Sequence, residues 1–314
     1  MLTEEMRALA YLLTESGFIA QRVWKDRNLV VGQNMDTRPE ETMDFFTNLD
    51  AELDERLMEG VSSHFGVTRF LTEEGASHPE RNRTRGIRAV IDSLDGSSNF
   101  ATYRPDFGIS VAIEGGGVPT LAGIITPARG ELLVAGTGEG TFFRSFYGET
   151  EDETRLVARR GEFTKIHSAP FALKNKKQNR SPLETSRVYV HTGKRRNFEL
   201  SPKCPWNTLY AKLANPGCTF CCSVALVEVA LGKLDGAVIG FQNHWDYAAG
   251  KLLITEAGGY FENWDREWTR PLSPDELAAA DATKDERGNE WLSHVVTAGS
   301  EGLFRALKDH FISQ

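Results

Sequence analysis

The segment Ile91-Asp92-Ser93-Leu94-Asp95-Gly96-Ser97-Ser98-Asn99-Phe100 sets two carboxylates three residues apart, directly before a Gly-Ser-Ser corner. Backbone amides and hydroxyls of Gly96, Ser97 and Ser98 are suited to receive an anion, and glycine lets the backbone approach an oxyanion closely. Acids beside anion-receiving groups repel a phosphate unless a cation stands between them. Mg²⁺, a hard ion held by a few carboxylates plus substrate phosphate, is the simplest candidate. Asp92, Asp95 and the Leu94 carbonyl form a sensible partial shell for it. On spacing alone the same residues read equally well as a surface Asp-Gly turn and a helix cap.

Two further acidic sites extend the pattern. Glu73-Glu74 follows the apolar run Val67 to Leu71, and Asp246 opens a helical stretch, where an N-cap is the plain alternative. Stepping outward from these acids, Met6, Leu9, Ala10, Leu13, Gly17 and Ala20 recur at helical spacing, predicting a helix that ends near Lys25 to Asn28. A second helix is expected from about Asp50. Strands are expected over 67–71, 87–91, 107–113, 121–126 and 131–135, with Asp92 emerging at a sheet edge. From about Phe146 to Pro216 only Arg187 to His191 reads as a strand. Pattern returns with a helix over 222–231, a strand over 235–240, a helix over 246–257, a strand over 292–297 and a terminal helix. The grouping favours layered α/β architecture, with subdomains at 1–145 and 146–314.

The chain has 314 residues, of which 40% are hydrophobic and 25% charged, as in ordinary globular proteins. No apolar run is long enough to span a bilayer, and Glu4 and Glu5 stand where a secretory signal carries basic residues, so a cytoplasmic protein without a membrane partner is expected. A net charge of −8 argues against a general nucleic-acid binder. One stretch runs the other way: between Ala172 and Cys204 nine basic residues face two acidic ones. It reads as a solvated insertion or as a site for a second anionic group of the substrate. Cys218-x-x-Cys221, with no second pair, is a weak zinc or redox signal, and structural thiols are the expected case.

Three ordered stretches resemble the inositol monophosphatase family: Phe70 to Gly75, Ile91 to Phe100, and Trp245 to Gly250 continuing through Thr255 to Gly259. Gly123 to Phe143 follows the family's strand pattern as well. The resemblance implies an α-β-α-β-α fold and a homodimer. It further implies that Glu73, Asp92 and the Leu94 carbonyl hold one Mg²⁺, that Asp92, Asp95 and Asp246 hold a second, and that a third, weaker ion sits beside Glu73. Ser97 matches the family's threonine and Asp50 the aspartate that backs it, the pair that activates water. The amides of Gly96 and Ser97 would cradle the phosphate. The implied activity is lithium-sensitive hydrolysis of a small phosphate monoester.

Some positions depart from the family's pattern. Ser93 replaces a proline. Phe220-Cys221-Cys222-Ser223 replaces the Gly-Ser-Ala-Ala entry that shapes the substrate end, where Cys222, Ser223 and His244 are the candidate substrate residues. Ile239 stands where the best-known members carry an acid that contacts inositol hydroxyls. These differences leave other substrates open, including sugar or nucleotide bisphosphates. A non-enzymatic member that contacts RNA or another protein is the rival from a different class.

Overall fold

A computed structural model describes residues 1–27, 31–33, 45–74, 86–167, 181–191, 205–265, 268–273, 276–277 and 293–312. The first helix, α1 (Glu4–Asp26), starts where the Thr3 hydroxyl accepts the Met6 amide and carries Glu4 and Glu5 in its first turn, which suits the helix dipole. Short strands β1 (Val31–Gln33) and β2 (Phe45–Thr47) form a two-stranded ribbon ahead of α2 (Asn48–Phe65). Next come β3 (Phe70–Thr72), β4 (Ile87–Asp95) and the short helix α3 (Ser97–Ala101). A meander follows through β5 (Gly108–Gly115), β6 (Val118–Thr126), β7 (Glu131–Gly136) and β8 (Gly140–Ser145). Helix α4 (Glu151–Arg160) leads to β9 (Thr164–Ile166), which pairs with β8 and completes a seven-stranded sheet ordered β3-β4-β5-β6-β7-β8-β9.

The second half contains α5 (Pro182–Thr185), β10 (Arg187–His191), α6 (Pro205–Lys212) and β11 (Asn215–Gly217). It continues with α7 (Cys222–Ala230), β12 (Gly236–Gln242), α8 (His244–Glu256), β13 (Tyr260–Trp264), β14 (Ser293–Ala298) and α9 (Glu301–Ile312). Its strands form a five-stranded sheet ordered β11-β10-β12-β14-β13.

Three apolar cores stack these elements. One packs α1 and α2 on one face of the large sheet. The second buries α7 and α8 between the other face of that sheet and the small sheet. The third covers the far side of the small sheet with α5, α6 and α9. The result is the five-layer α-β-α-β-α arrangement expected from the sequence.

Several boundaries differ from that expectation. β4 runs past Ile91 to Asp95 because Asp92 pairs with Ser110 and Asp95 with Gly108, with a bulge between them. One extra residue in a strand re-aims side chains, and here it brings both aspartates onto the strand. Asp92 is consequently 1% exposed, inside the sheet rather than emerging at its edge. The stretch read as unpatterned apart from 187–191 also holds α4, α5, α6, β9 and β11. α8 begins two residues before Asp246.

Candidate active site

Asp92 is the electrostatic centre of a carboxylate group. Burial pushes its carboxyl well above the usual aspartate range, and the charges of Glu73, Asp95 and Asp246 push it further, against a hydrogen bond from the Leu94 amide to Oδ1 at 3.2 Å. Glu73 lies half-buried just beyond β3. Asp95 Oδ2 accepts the Ser223 amide and the Cys221 thiol, the latter at 3.3 Å. Asp246 is not the N-cap. Asn243 is, and Asp246 Oδ2 accepts the Asn243 amide at 2.6 Å, while the Asp246 amide donates to the Asn243 carbonyl. Asp92, Asp95 and Asp246 each thus have one oxygen held by a backbone amide. Among the described residues no three His, Cys, Asp or Glu side chains converge as a preformed ligand set. The donors are nevertheless all hard oxygens, and gathering like charges round a buried carboxylate favours a divalent cation over monovalent neighbours.

Ser97 opens α3 beside this group. Its hydroxyl lies 3.0 Å from the Leu94 carbonyl and 3.4 Å from Asp50 Oδ1, sharing one proton between the two acceptors. Asp50 comes from the first turn of α2 and is buried. Ser93, where a proline was expected, donates its hydroxyl to the Asp50 carbonyl at 3.1 Å, which fixes α2 to β4. Gly96 caps α3 with φ 86°, and a Cβ there would stand 2.8 Å from the Asp106 carbonyl. Ser98 is half-buried in the first turn of α3, its carbonyl accepting the Thr102 amide.

The chain from Thr219 to Ser223 lies against Asn99 and Asp95. Asn99 Nδ2 donates to the carbonyls of Asp106 and Thr219, both at 2.7 Å. Cys222 and Ser223 are buried, Cys222 in the core between the two sheets, and Ser223 reaches Asp95 through its amide. Burial, then the Asp95 charge, pushes both the Cys221 and Cys222 thiols well up. Ile239 is also buried and presents no polar group to a substrate. Phe220, by contrast, is 57% exposed. Its φ of 57° is left-handed, a conformation that costs a bulky residue about 1–3 kcal/mol. The His191 ring meets it edge-on at 5.9 Å between centroids, and the Arg104 guanidinium lies 6.0 Å from its centroid.

His244 is drawn into a network that the sequence did not reveal. Its Nε2 lies 2.6 Å from Glu114 Oε1 and its Nδ1 3.0 Å from the Tyr247 hydroxyl, while Arg88 Nε reaches Glu114 Oε2 at 2.9 Å. Arg88 and Glu114 are directly opposite across β4 and β5. Burial alone would raise the Glu114 carboxyl, but His244 and then Arg88 hold it at about 2. Asp54, one turn after Asp50, was likewise missed. It accepts the Thr72 hydroxyl at 3.0 Å, and burial raises its pKa to about 6. An acid embedded in an apolar strand, as in Val111 to Glu114, was the available signal for Glu114, but the expected strand ended at Ile113, one residue short of it.

The thiols of Cys218 and Cys221 face different partners, Tyr189 at 3.8 Å and Asp95, and form no disulfide. Most of the basic stretch from Ala172 to Cys204 lies outside the described residues. Among the described residues no helix is long and apolar enough to cross a membrane.

Comparison with known proteins fits this geometry. The Nus factor SuhB of Salmonella typhimurium is 26% identical over 248 residues, covering 77% of this chain and 82% of that protein. A histidinol-phosphatase of Chlorobaculum parvum is 25% identical over 258 residues, covering 82% and 85%. The solved structure of a Thermotoga maritima IMPase superposes with a TM-score of 0.66 at 20% identity, covering 97% and 94%, a likeness of fold. The sequence profile described as the inositol monophosphatase family matches residues 2–297. With that match across almost its whole length, the chain belongs to the inositol monophosphatase family.

Proposed function

We propose that the protein is a Mg²⁺-dependent phosphomonoesterase acting on a small phosphorylated metabolite. The observation that carries this reading is the placing of buried Asp92 among Glu73, Asp95 and Asp246, next to the Ser97–Asp50 pair. Glu73, Asp92, the Leu94 carbonyl, Asp95 and Asp246 would hold the ions. When bound, such ions supply Lewis-acid stabilisation of the phosphoryl oxygens and of the leaving oxygen. Asp50, held by α2, accepts from the Ser97 hydroxyl, so that the hydroxyl can accept a hydrogen bond from an attacking water, orient it, and take its proton while passing its own to Asp50. The backbone at Gly96, Ser97 and Ser98 positions the phosphate against that water. Ser223 and Asn243 steady Asp95 and Asp246 through their amides.

The family membership and a relative named histidinol-phosphatase support a phosphatase. With Ile239 buried and apolar, the pocket lacks the acid that would read inositol hydroxyls, so the alcohol half is expected to differ from inositol. Release of phosphate from a panel of sugar, alcohol, inositol, bisphosphate and nucleotide esters, with and without Mg²⁺, tests the proposal. Asp95→Asn should lower turnover at least about a hundredfold with Tm almost unchanged, since it removes ligand charge rather than packing. Full activity of that variant would sink the assignment of Asp95.

The name Nus factor, carried by several relatives, favours the rival reading weighed from the sequence, contact with RNA or another protein. An RNA mobility shift unaffected by Asp95→Asn, with no hydrolysis of any ester, would support it instead.

A further inference from the structure

Three observations converge on Phe220. Its backbone is left-handed although it is a bulky residue. Both of its neighbours are fastened to the residues of the candidate site: the Thr219 carbonyl by Asn99 of α3, and the Cys221 thiol by Asp95. Its ring is nonetheless 57% exposed, while Cys222, Ser223 and Ile239 behind it are buried. A residue strained in its backbone and left in solvent contributes little to the core. Such strain persists where surrounding contacts over-determine it, and it concentrates at ligand-contacting positions.

The surroundings indicate what the ring could meet. His191 at the end of β10 braces it edge-on, and Arg104, just after α3, places a cation near it. Aromatic rings favour other planar rings in stacked or edge-to-face contact, and a guanidinium beside them suits a planar, electron-rich group that also carries a phosphate. A polyol offers hydroxyls that need polar partners, and the buried apolar Ile239 supplies none.

Resting on the phosphatase reading above, we propose that Phe220 sets specificity for the alcohol half of the substrate by stacking on a planar aromatic or heteroaromatic group, so that ring-bearing phosphate monoesters are preferred to polyol phosphates. Two sources share this chemistry, a nucleobase and a free imidazole-type ring, and separate substrates distinguish them. The test compares kcat/KM for adenosine 2′-monophosphate, histidinol phosphate, inositol 1-phosphate and glycerol 2-phosphate in wild type, Phe220→Gly and Phe220→Trp.

Glycine adopts φ 57° without strain, so Phe220→Gly is expected to keep or raise Tm. It should lower kcat/KM for at least one aromatic ester about ten- to a hundredfold while changing glycerol 2-phosphate by less than about threefold. Phe220→Trp should retain the preference. Whichever aromatic ester loses rate identifies the ring. Equal losses on all four esters, or a wild type that does not favour an aromatic ester over glycerol 2-phosphate, overturn the proposal while leaving the phosphatase reading intact. No hydrolysis of any ester by the wild type overturns both.

Discussion

Asp54→Asn should make the protein more stable above pH 6 and leave it nearly unchanged near pH 4. Asp54 is 4% exposed, and its burial raises the carboxyl from 3.8 to about 6. A carboxyl raised on folding contributes its full stability only below the unfolded value of 3.8, and that contribution is lost as the pH rises through about 6. The difference corresponds to about 3 kcal/mol of penalty at pH 7 to 8 relative to the neutral form. Asparagine resembles the protonated acid: it keeps an acceptor for the Thr72 hydroxyl and has similar helix propensity. Globular proteins unfold with roughly 2.1 cal/mol/K of entropy per residue, so 3 kcal/mol in a chain of 314 residues amounts to about 4–5 °C in Tm. Differential scanning fluorimetry of both proteins from pH 4 to 8, with EDTA throughout, should show a gap that opens between pH 4 and 7. A gap independent of pH, or a wild type that is more stable at pH 8, would refute the reasoning.

Other expectations follow from the same contacts. Glu114→Gln leaves the Arg88 guanidinium and His244 facing an uncharged amide in the interior, and should cost about 3 kcal/mol, read as a Tm lower by about 5 °C. Replacing both Arg88 and Glu114 with apolar residues of similar volume should recover most of that loss, and an additive double mutant would contradict the pairing. Gly96→Ala forces a Cβ to 2.8 Å from the Asp106 carbonyl and 3.3 Å from Cys221 at φ 86°, so thermal melts should show a loss of about 1–3 kcal/mol together with reduced turnover. Ser97→Ala should lower kcat about a hundredfold or more while Ser97→Thr keeps it, as measured by phosphate release with Mg²⁺. Equal rates for serine and alanine would remove the hydroxyl from the mechanism.

What could be read beforehand depended on how locally the signal was written. α1 is set by apolar spacing and a threonine cap, and the acidic motif by contiguous residues, so both were legible. α4 was not, because its buried face consists of Thr154 and Ala158 and has no apolar stripe. Its capping box, Thr150 with Glu153, was the available sign, and Ser181 with Glu184 plays the same part for α5. The approach of Asp50 to Ser97 joins positions 47 apart and arises only when α2 packs on the large sheet. The Phe220 backbone and the partners of Asp54 are likewise tertiary, and residue type alone did not announce them.

The central helix layer has an evolutionary consequence. α7 and α8 are covered on both sides by sheets, and they approach so closely that a Cβ on Gly250 would lie within 2.3 Å of Leu226 Cδ1. Such a layer tolerates few changes along its length, since an added methylene or a polar atom has nowhere to go. Yet the first turns of both helices reach the acidic pocket, through Ser223 and Asp246. Drift in substrate preference is thereby channelled into the short approach to α7 at Phe220, whose exposed side chain can be exchanged without disturbing either sheet. A lineage can change what it recognises there while the layer behind stays fixed.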